Sequence, residues 1–242
     1  EDSLLITLPK TAKLSCQFTN NKLKAAPVKL AIEHLSHSSN GEKAFLINAG
    51  NANAATGSQG MRDVRFYCKE MASDLNLKKE NIIPFSTGVI GEAFPVNNYL
   101  NAFREAKSKL SGKNWLKAAN AILTTDTKPK IISKQVKIEK EIYSITGFAK
   151  GSGMIRPDFA TLLSFVFVDA KVNQRSLNKI HADALDVSFN AITVDGDTSP
   201  NDSSVLVVNG NENKSIKPNS KTEKKLAQNI KEIFKDLAEL LI

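Results

Sequence analysis

The chain has 242 residues, of which 41% are hydrophobic, a formal net charge of +8 and a mean hydropathy of −0.23. A chain of this length can bury a sizeable core, as one large domain or two smaller ones, and its composition is ordinary for a soluble protein. No stretch approaches the roughly 18 apolar residues of a transmembrane helix, which argues against a membrane-spanning protein.

The positive charge is spread along the chain, which argues against a nucleic-acid-binding surface. Five of the 33 basic residues are arginines and the lysines are mixed with Asp and Glu, whereas nucleic-acid readers cluster Arg and Lys with aromatic residues. The two cysteines, Cys16 and Cys68, have no CxxC spacing, which predicts free thiols in a reducing cytoplasm and no zinc site. We therefore predict a cytoplasmic protein with no metal, no nucleic-acid partner and no membrane partner.

The first part of the chain has short apolar runs separated by polar and glycine-rich turns. Pro27 is favoured at a first helical position and predicts that a helix begins there. Residues 45–48 predict a short buried strand that leads into the small-residue segment 50–57. Thr56 and Gln59 predict a capping box for the next helix, whose inward stripe consists of Met61, Val64, Cys68, Met71 and Leu75.

A second strand, residues 82–85, ends in a threonine–glycine turn. Such an end exposes backbone N–H groups beside the hydroxyl of Thr87, next to Gly88. An oxyanion hole needs donors of this kind, held about 3 Å from the developing negative charge. An ordinary glycine turn between a strand and a helix explains the same residues, so the sequence pattern alone leaves both interpretations open.

Two amphipathic helices and a β-hairpin are predicted next. The first helix covers residues 98–110. The second ends in a polar cluster at 123–127, and alternating residues over 130–148 predict the hairpin. The residues predicted to face the core from the two helices are Leu100, Phe103, Leu110, Trp115, Leu116, Ala119 and Ile122.

The stretch from Lys150 to Ala170 is the most informative. A Gly-Ser-Gly loop leads to Ala160 and Thr161, and a continuous apolar run over residues 162–168 predicts a strand buried on both faces. A small residue, a threonine and a buried strand suit an autoprocessed N-terminal nucleophile, whose hydroxyl attacks the preceding peptide bond and whose freed α-amine then acts as the base. A solvent-facing threonine at a strand start is the alternative from these residues alone.

The last part of the chain predicts a helix over 176–185, a strand over 205–208 and a final amphipathic helix with a capping box at Ser220 and Glu223. The loop Asp195–Asp202 is not a calcium loop, because proline and leucine stand where the EF-hand requires Gly and Glu. The sequence ends on an apolar triplet without a cap, and we expect it to be a fragment.

Four of these stretches, in the same order, resemble the ornithine acetyltransferase (glutamate N-acetyltransferase) family of arginine biosynthesis. They are NAGNANAATGSQGMRD at 48–63, STGVIGE at 86–92, KGSGMI at 150–155 followed by ATLL at 160–163, and NAITVDGDTSPNDSSVLVVNG at 190–210. Four long motifs over most of the chain form a specific signal. The resemblance implies an α+β fold, an αββα sandwich of the N-terminal-nucleophile-like type.

The resemblance also implies roles for individual residues. Thr161 is the nucleophile and the chain is cut between Ala160 and Thr161; Thr87 and Gly88 form the oxyanion pair. Substrate is bound by Thr124, Lys150 and Thr161. The implied reaction moves an acetyl group from N-acetylornithine to glutamate through acetyl-Thr161, without a cofactor, with acetyl-CoA as a possible second donor.

The implied organisation has residues 1–160 as the α-chain part of the αββα domain. Residues 161–242 then begin the β chain and complete the sandwich, the C-terminal domain is missing, and two α and two β chains form a heterotetramer. This sequence departs from the family in having Ala55 where Cys is usual, and Arg156, Asp158 and Phe159 before the cut. The alternatives are a related N-terminal-nucleophile aminopeptidase or amidase, an inactive fragment of either enzyme, and a non-catalytic domain.

Overall fold

The computed structural model describes residues 2–38, 40–151, 162–193 and 197–242. The chain divides into two compact units: unit 1 is Glu1–Lys10 with Asn20–Lys128, and unit 2 is Thr11–Thr19 with Pro129–Ile242. Both units contain sheets and helices, which confirms the predicted α+β class. In the described part of the chain, no helix is both long and apolar enough to cross a membrane.

The structure has eight strands and six α-helices among the described residues. The strands are β1 (Ser3–Leu8), β2 (Lys13–Phe18), β3 (Lys43–Asn48), β4 (Ile82–Ser86), β5 (Lys130–Ile138), β6 (Glu141–Lys150), β7 (Leu163–Val168) and β8 (Ser203–Val208). The helices are α1 (Ala26–His37), α2 (Gly57–Leu75), α3 (Val96–Ser108), α4 (Trp115–Ala121), α5 (Gln174–Asp186) and α6 (Lys221–Glu239). Short 3-10 turns lie at Lys79–Asn81, Phe189–Ala191 and Glu212–Lys214.

Unit 1 is a three-stranded sheet covered by helices. The strand order is β1-β3-β4, with β1 antiparallel to β3 and β3 parallel to β4. Helices α1 and α3 pack on the sheet on either side of α2, and the predicted apolar stripe of α2 enters the core, with Val64, Cys68 and Met71 fully buried. Because β3 and β4 are parallel, their carboxyl ends lie at the same edge of the sheet, where ligands commonly bind.

Unit 2 is a five-stranded sheet in the order β2-β8-β7-β6-β5, in which β7 and β8 are parallel and the other pairs antiparallel. The hairpin β5–β6 confirms the sequence prediction, as does the almost fully buried strand β7. Helices α5 and α6 contact each other and cover the sheet. The core between them is built from aliphatic residues with Phe189 and Phe234.

Three predicted core positions are wrong. Leu110 lies beyond the end of α3 and is 43% exposed, and Trp115 and Leu116 on α4 are 39% and 58% exposed. Ala119 and Ile122 are fully buried as predicted. Helix α4 has seven residues, about two turns, so its last turn reaches the core and its first does not.

The two predicted capping boxes have different outcomes. At the start of α2 the prediction is wrong: Thr56 has no capping bond, and its hydroxyl donates to Asn53 Oδ1 at 2.8 Å. At the start of α6, Ser220 Oγ accepts from the N–H of Glu223 at 3.1 Å, as predicted. The carboxylate of Glu223 reaches back one residue further than expected, to the N–H of Asn219 at 2.6 Å.

Candidate active site

The turn that follows β4 is joined by hydrogen bonds to the turn that follows β3. The N–H of Thr87 donates to the carbonyl of Asn48 at 2.9 Å, and the N–H of Val89 donates to the carbonyl of Gly50 at 3.1 Å. In return, the N–H of Ala52 donates to the carbonyl of Val89 at 2.9 Å. The predicted oxyanion turn is therefore fixed on both sides of Gly88 by the neighbouring loop.

Gly88 occupies a position that admits no side chain. Its φ is +131°, and a Cβ atom would lie 2.2 Å from the carbonyl carbon of Gly50 and 2.5 Å from the nitrogen of Asn51. Gly88 is partly exposed, and no described residue accepts a hydrogen bond from its N–H. Since the Thr87 N–H is already bonded to Asn48, the Gly88 N–H is the backbone donor that this turn can offer to a developing negative charge.

Three buried asparagines, which the sequence reasoning missed, support this turn. Asn48 accepts from the Ser86 hydroxyl at 2.5 Å and donates to the carbonyl of Asn51 at 2.7 Å. Asn51 in turn accepts from the N–H of Asn53 at 2.8 Å and donates to the carbonyl of Ala93 at 3.1 Å. Buried amides need such partners, so three asparagines within six residues of small side chains were the available signal.

Thr124, a predicted substrate-binding residue, also belongs to unit 1. It is exposed, after the end of α4, and its N–H lies 3.4 Å from Asp126 Oδ2. Its proposed role in binding substrate stays a prediction.

Unit 2 contains Lys150 and the residues that follow the predicted cut. Lys150 is the last residue of β6, is 3% exposed, and pairs in register with Leu163 on β7. Ala160 and Thr161 lie outside the described residues, which resume at Leu162. Lys150 is therefore on the strand beside β7, opposite the second residue after Thr161.

Asp202 is a second feature that the sequence reasoning missed. It is 1% exposed; Oδ1 accepts from the N–H of Leu162 at 3.1 Å, and Oδ2 accepts from the N–H of Ser199 at 3.2 Å. Burial raises the pKa of the Asp202 carboxyl, while the bonds from Leu162 and Ser199 and the charge of Lys150 oppose that rise. Burial is the largest of these effects, so the pKa of Asp202 lies well above its ordinary value despite the two N–H donors.

The two buried histidines are packing residues. His34 Nδ1 lies 2.6 Å from the carbonyl of Ile82. His181 lies between the hydroxyls of Ser15 at 3.0 Å and Ser204 at 2.9 Å, and burial lowers its pKa to about 3. Among the described residues, no group of three or more His, Cys, Asp or Glu side chains could hold a metal ion. Both cysteines are free thiols, as predicted.

Comparison with known proteins identifies the family. The sequence matches the family model described as the ArgJ family over residues 1–242. The chain belongs to the ArgJ family. This confirms the family that the four sequence motifs indicated, and the fold is the predicted α+β fold of ornithine acetyltransferase type.

Curated ArgJ proteins are similar over most of this chain. The arginine biosynthesis bifunctional protein ArgJ of Colwellia psychrerythraea is 42% identical over 222 residues, which are 88% of this chain and 52% of that protein. The protein of the same name from Methylococcus capsulatus is 39% identical over 243 residues, 100% of this chain and 59% of that protein. The chain thus spans between half and three fifths of the length of these ArgJ relatives.

A solved ArgJ structure is similar as well. The crystal structure of the arginine biosynthesis bifunctional protein of Bacillus halodurans has a TM-score of 0.51 and 27% sequence identity. The match covers 67% of this chain and 100% of that one.

Proposed function

We propose that this chain is the nucleophile-bearing part of an acyltransferase that moves an acetyl group from N-acetylornithine to glutamate through acetyl-Thr161. The family supports the reaction class. The observation that carries the proposal is the turn of Thr87 and Gly88. A rigid backbone N–H without an internal acceptor in the described structure, next to a hydroxyl, suits stabilisation of an oxyanion.

The proposed maturation step uses Thr161 on its own peptide bond. The Thr161 hydroxyl attacks the carbonyl carbon of Ala160, and the amide becomes an ester as the Thr161 nitrogen leaves and takes up the proton. Water then hydrolyses the ester. The products are a chain that ends in the Ala160 carboxylate and a chain that begins with a free Thr161 amine and hydroxyl.

The proposed turnover has two acyl transfers. The Thr161 amine takes the hydroxyl proton while the oxygen attacks the acetyl carbonyl of N-acetylornithine, and Thr87 and Gly88 donate to the resulting oxyanion. Collapse expels the ornithine amine, which takes the proton, and leaves acetyl-Thr161. The amine of glutamate then attacks this ester and restores Thr161.

The remaining roles in the proposal concern binding and assembly. The ammonium of Lys150 attracts the carboxylate that both amino-acid substrates carry, and Thr124 contacts the substrate. We propose no resident cofactor, with acetyl-CoA as an alternative acetyl donor to be offered in the same assay. We further propose a cytoplasmic heterotetramer of two α and two β chains.

Thr87→Val in the full-length protein tests the proposal. Valine keeps the shape and removes the donor, so turnover of N-acetylornithine and glutamate should fall by ~10²–10³. Thr7→Val, at an exposed position of β1 in the same unit, is the matched control and should leave turnover unchanged. Near-normal turnover in a folded Thr87→Val enzyme would move the oxyanion role to other residues.

A further inference from the structure

We propose that Asp202 is a positioning residue for the nucleophile, because it fixes the start of β7 by accepting the backbone hydrogen bond of Leu162, the residue that follows Thr161 in the sequence. The inference rests on the proposed function of Thr161 as nucleophile. It concerns a buried carboxyl group to which neither the motifs nor the reaction steps assign a role.

The contact acts on the peptide unit that contains Thr161. The N–H of Leu162 is part of the peptide bond that joins it to Thr161 in the sequence, so a contact on this N–H acts next to the proposed nucleophile. The carbonyl of Leu162 accepts from the N–H of Ser203 at 3.0 Å. Consecutive residues, Asp202 and Ser203, thus hold both polar backbone groups of Leu162, just before β7 begins at Leu163.

Asp202 is itself held firmly. The N–H of Thr19, at the end of β2, donates to the carbonyl of Asp202 at 2.9 Å, and the Thr19 hydroxyl donates to the carbonyl of Ser199 at 2.8 Å. The Ser199 hydroxyl accepts from the N–H of Asn201 at 3.1 Å. Thr19, Ser199 and Asn201 are all buried, so the loop that carries Asp202 is tied to the sheet at several points.

Burying a carboxyl group lowers stability unless its oxygens are hydrogen-bonded and its charge is paired. The burial of Asp202 beside the start of β7 therefore suggests a functional role for it. Both oxygens of Asp202 already accept backbone N–H groups, which assigns it to positioning and not to proton transfer. The positive charge of Lys150 opposes the rise in the pKa of Asp202 that burial causes, but it is a smaller effect than burial. Catalysis by a nucleophile is sensitive to such support, because a 1 Å displacement can cost ~10² in rate.

The experiment compares Asp202→Ala and Asp202→Asn with Asp169→Ala in the full-length protein. Asp169 is the matched control, because it follows the other end of β7 and its Oδ1 likewise accepts a backbone N–H, that of Ser144, at 2.7 Å. Three quantities are measured: hydrogen exchange of the Leu162 amide, the rate of self-cleavage, and kcat and KM for N-acetylornithine.

We expect Asp202→Ala to speed exchange at Leu162 and to lower both self-cleavage and kcat by roughly 10². KM should stay within about threefold, because substrate binding is not the function lost. Asp202→Asn keeps one acceptor oxygen and should be intermediate. Asp169→Ala should retain wild-type values for Leu162 exchange, self-cleavage and kcat even if it lowers Tm.

Each contrary result is distinguishable from the others. If the Leu162 amide of a folded Asp202→Ala protein exchanges at the wild-type rate, Asp202 does not hold this amide and the proposal is wrong. Faster exchange with unchanged self-cleavage and kcat overturns the positioning role and leaves the proposed function standing. An inactive, uncut wild-type protein refutes the proposed function and the positioning role together. If Asp202→Ala does not fold, the same comparisons are made on the isosteric Asp202→Asn.

Discussion

Gly88 couples the conformation of the proposed oxyanion turn to the stability of unit 1, because its backbone packs closely against Gly50. Gly88→Ala would place a methyl group 2.2 Å from the Gly50 backbone, and we expect it to lower the free energy of unfolding by roughly 3 kcal/mol. Gly91→Ala is the control. The φ of Gly91 is also positive, +88°, but an added Cβ atom would meet nothing within 4 Å, so the free energy of unfolding should fall by only about 1 kcal/mol. Urea unfolding of both variants is the measurement, and equal losses would contradict the close packing at Gly88.

His181 makes stability depend on pH. Its pKa is about 3 in the folded chain, because burial disfavours the charged form, against an ordinary value of 6.5. Below pH 6.5 the unfolded chain binds a proton that the folded chain does not, so this residue lowers stability as pH falls, by up to about 1.4 kcal/mol per pH unit. Above pH 6.5 His181 is neutral in both the folded and the unfolded chain, and no stability is lost to its protonation.

Urea unfolding between pH 7 and about 5.5, where carboxylates with ordinary pKa values titrate little, measures this effect. His181→Gln should flatten the fall in stability, whereas His37→Gln, on the exposed end of α1, should leave the slope as in the wild type. An unchanged slope in His181→Gln would show that a different group takes up the proton.

Local patterns of residues can be recognised in the sequence, whereas contacts between residues far apart in the chain cannot. Thr87 and Gly88 stand out because a strand end, a hydroxyl and a glycine are consecutive. Asp202 meets Leu162 across 40 positions, and Asn48 meets Ser86 across 38, so neither contact leaves a local signature. The sequence Asp195–Asp202 lies within the fourth family motif and is not a calcium loop, but it gave no role to Asp202 itself.

At the scale of elements, hydrophobic periodicity predicted the strands and the hairpin because burial of whole faces dominates their energy. The ends of elements were less predictable. The capping box at Thr56 failed because Thr56, with a ψ of 4°, lacks the extended backbone of an N-cap, and its hydroxyl donates to Asn53. Leu116 was predicted to face the core but is exposed, because the seven-residue helix α4 turns only part of its surface towards the core.

Strand pairing in unit 2 predicts the fate of the two chains after cleavage at Thr161. Strands β2, β5 and β6 would belong to the first chain, and β7 and β8 to the second. Since β7 pairs with β6 and β8 pairs with β2, one sheet contains both chains. We therefore expect the fragments to stay associated without a covalent bond, because separating them would expose the core beneath the sheet.

Gel filtration of the processed full-length protein measures this association. The fragments should co-elute with each other in native buffer, at the position of the uncut Thr161→Ala variant, and separate in guanidinium chloride. Separation in native buffer would contradict the pairing of β6 with β7.

At the scale of the whole molecule, the net charge of +8 is the most prominent feature of the composition, but it says little about function. Lysines take part in exposed ion pairs such as Lys134 with Asp236 and Lys179 with Asp183, which contribute little to stability. The division into two units could not be predicted, because β2 joins unit 2 from an early position in the chain.

We propose that Thr161 carries the acetyl group between the two substrates. Full-length, processed protein is mixed with N-acetylornithine in the absence of glutamate, and the peptide that begins at Thr161 is analysed by mass spectrometry. We expect one added acetyl group on Thr161, which disappears when glutamate is added as acetylglutamate forms. If the enzyme turns over both substrates but never carries that acetyl group, the covalent mechanism is wrong and the acetyl group passes directly between the substrates.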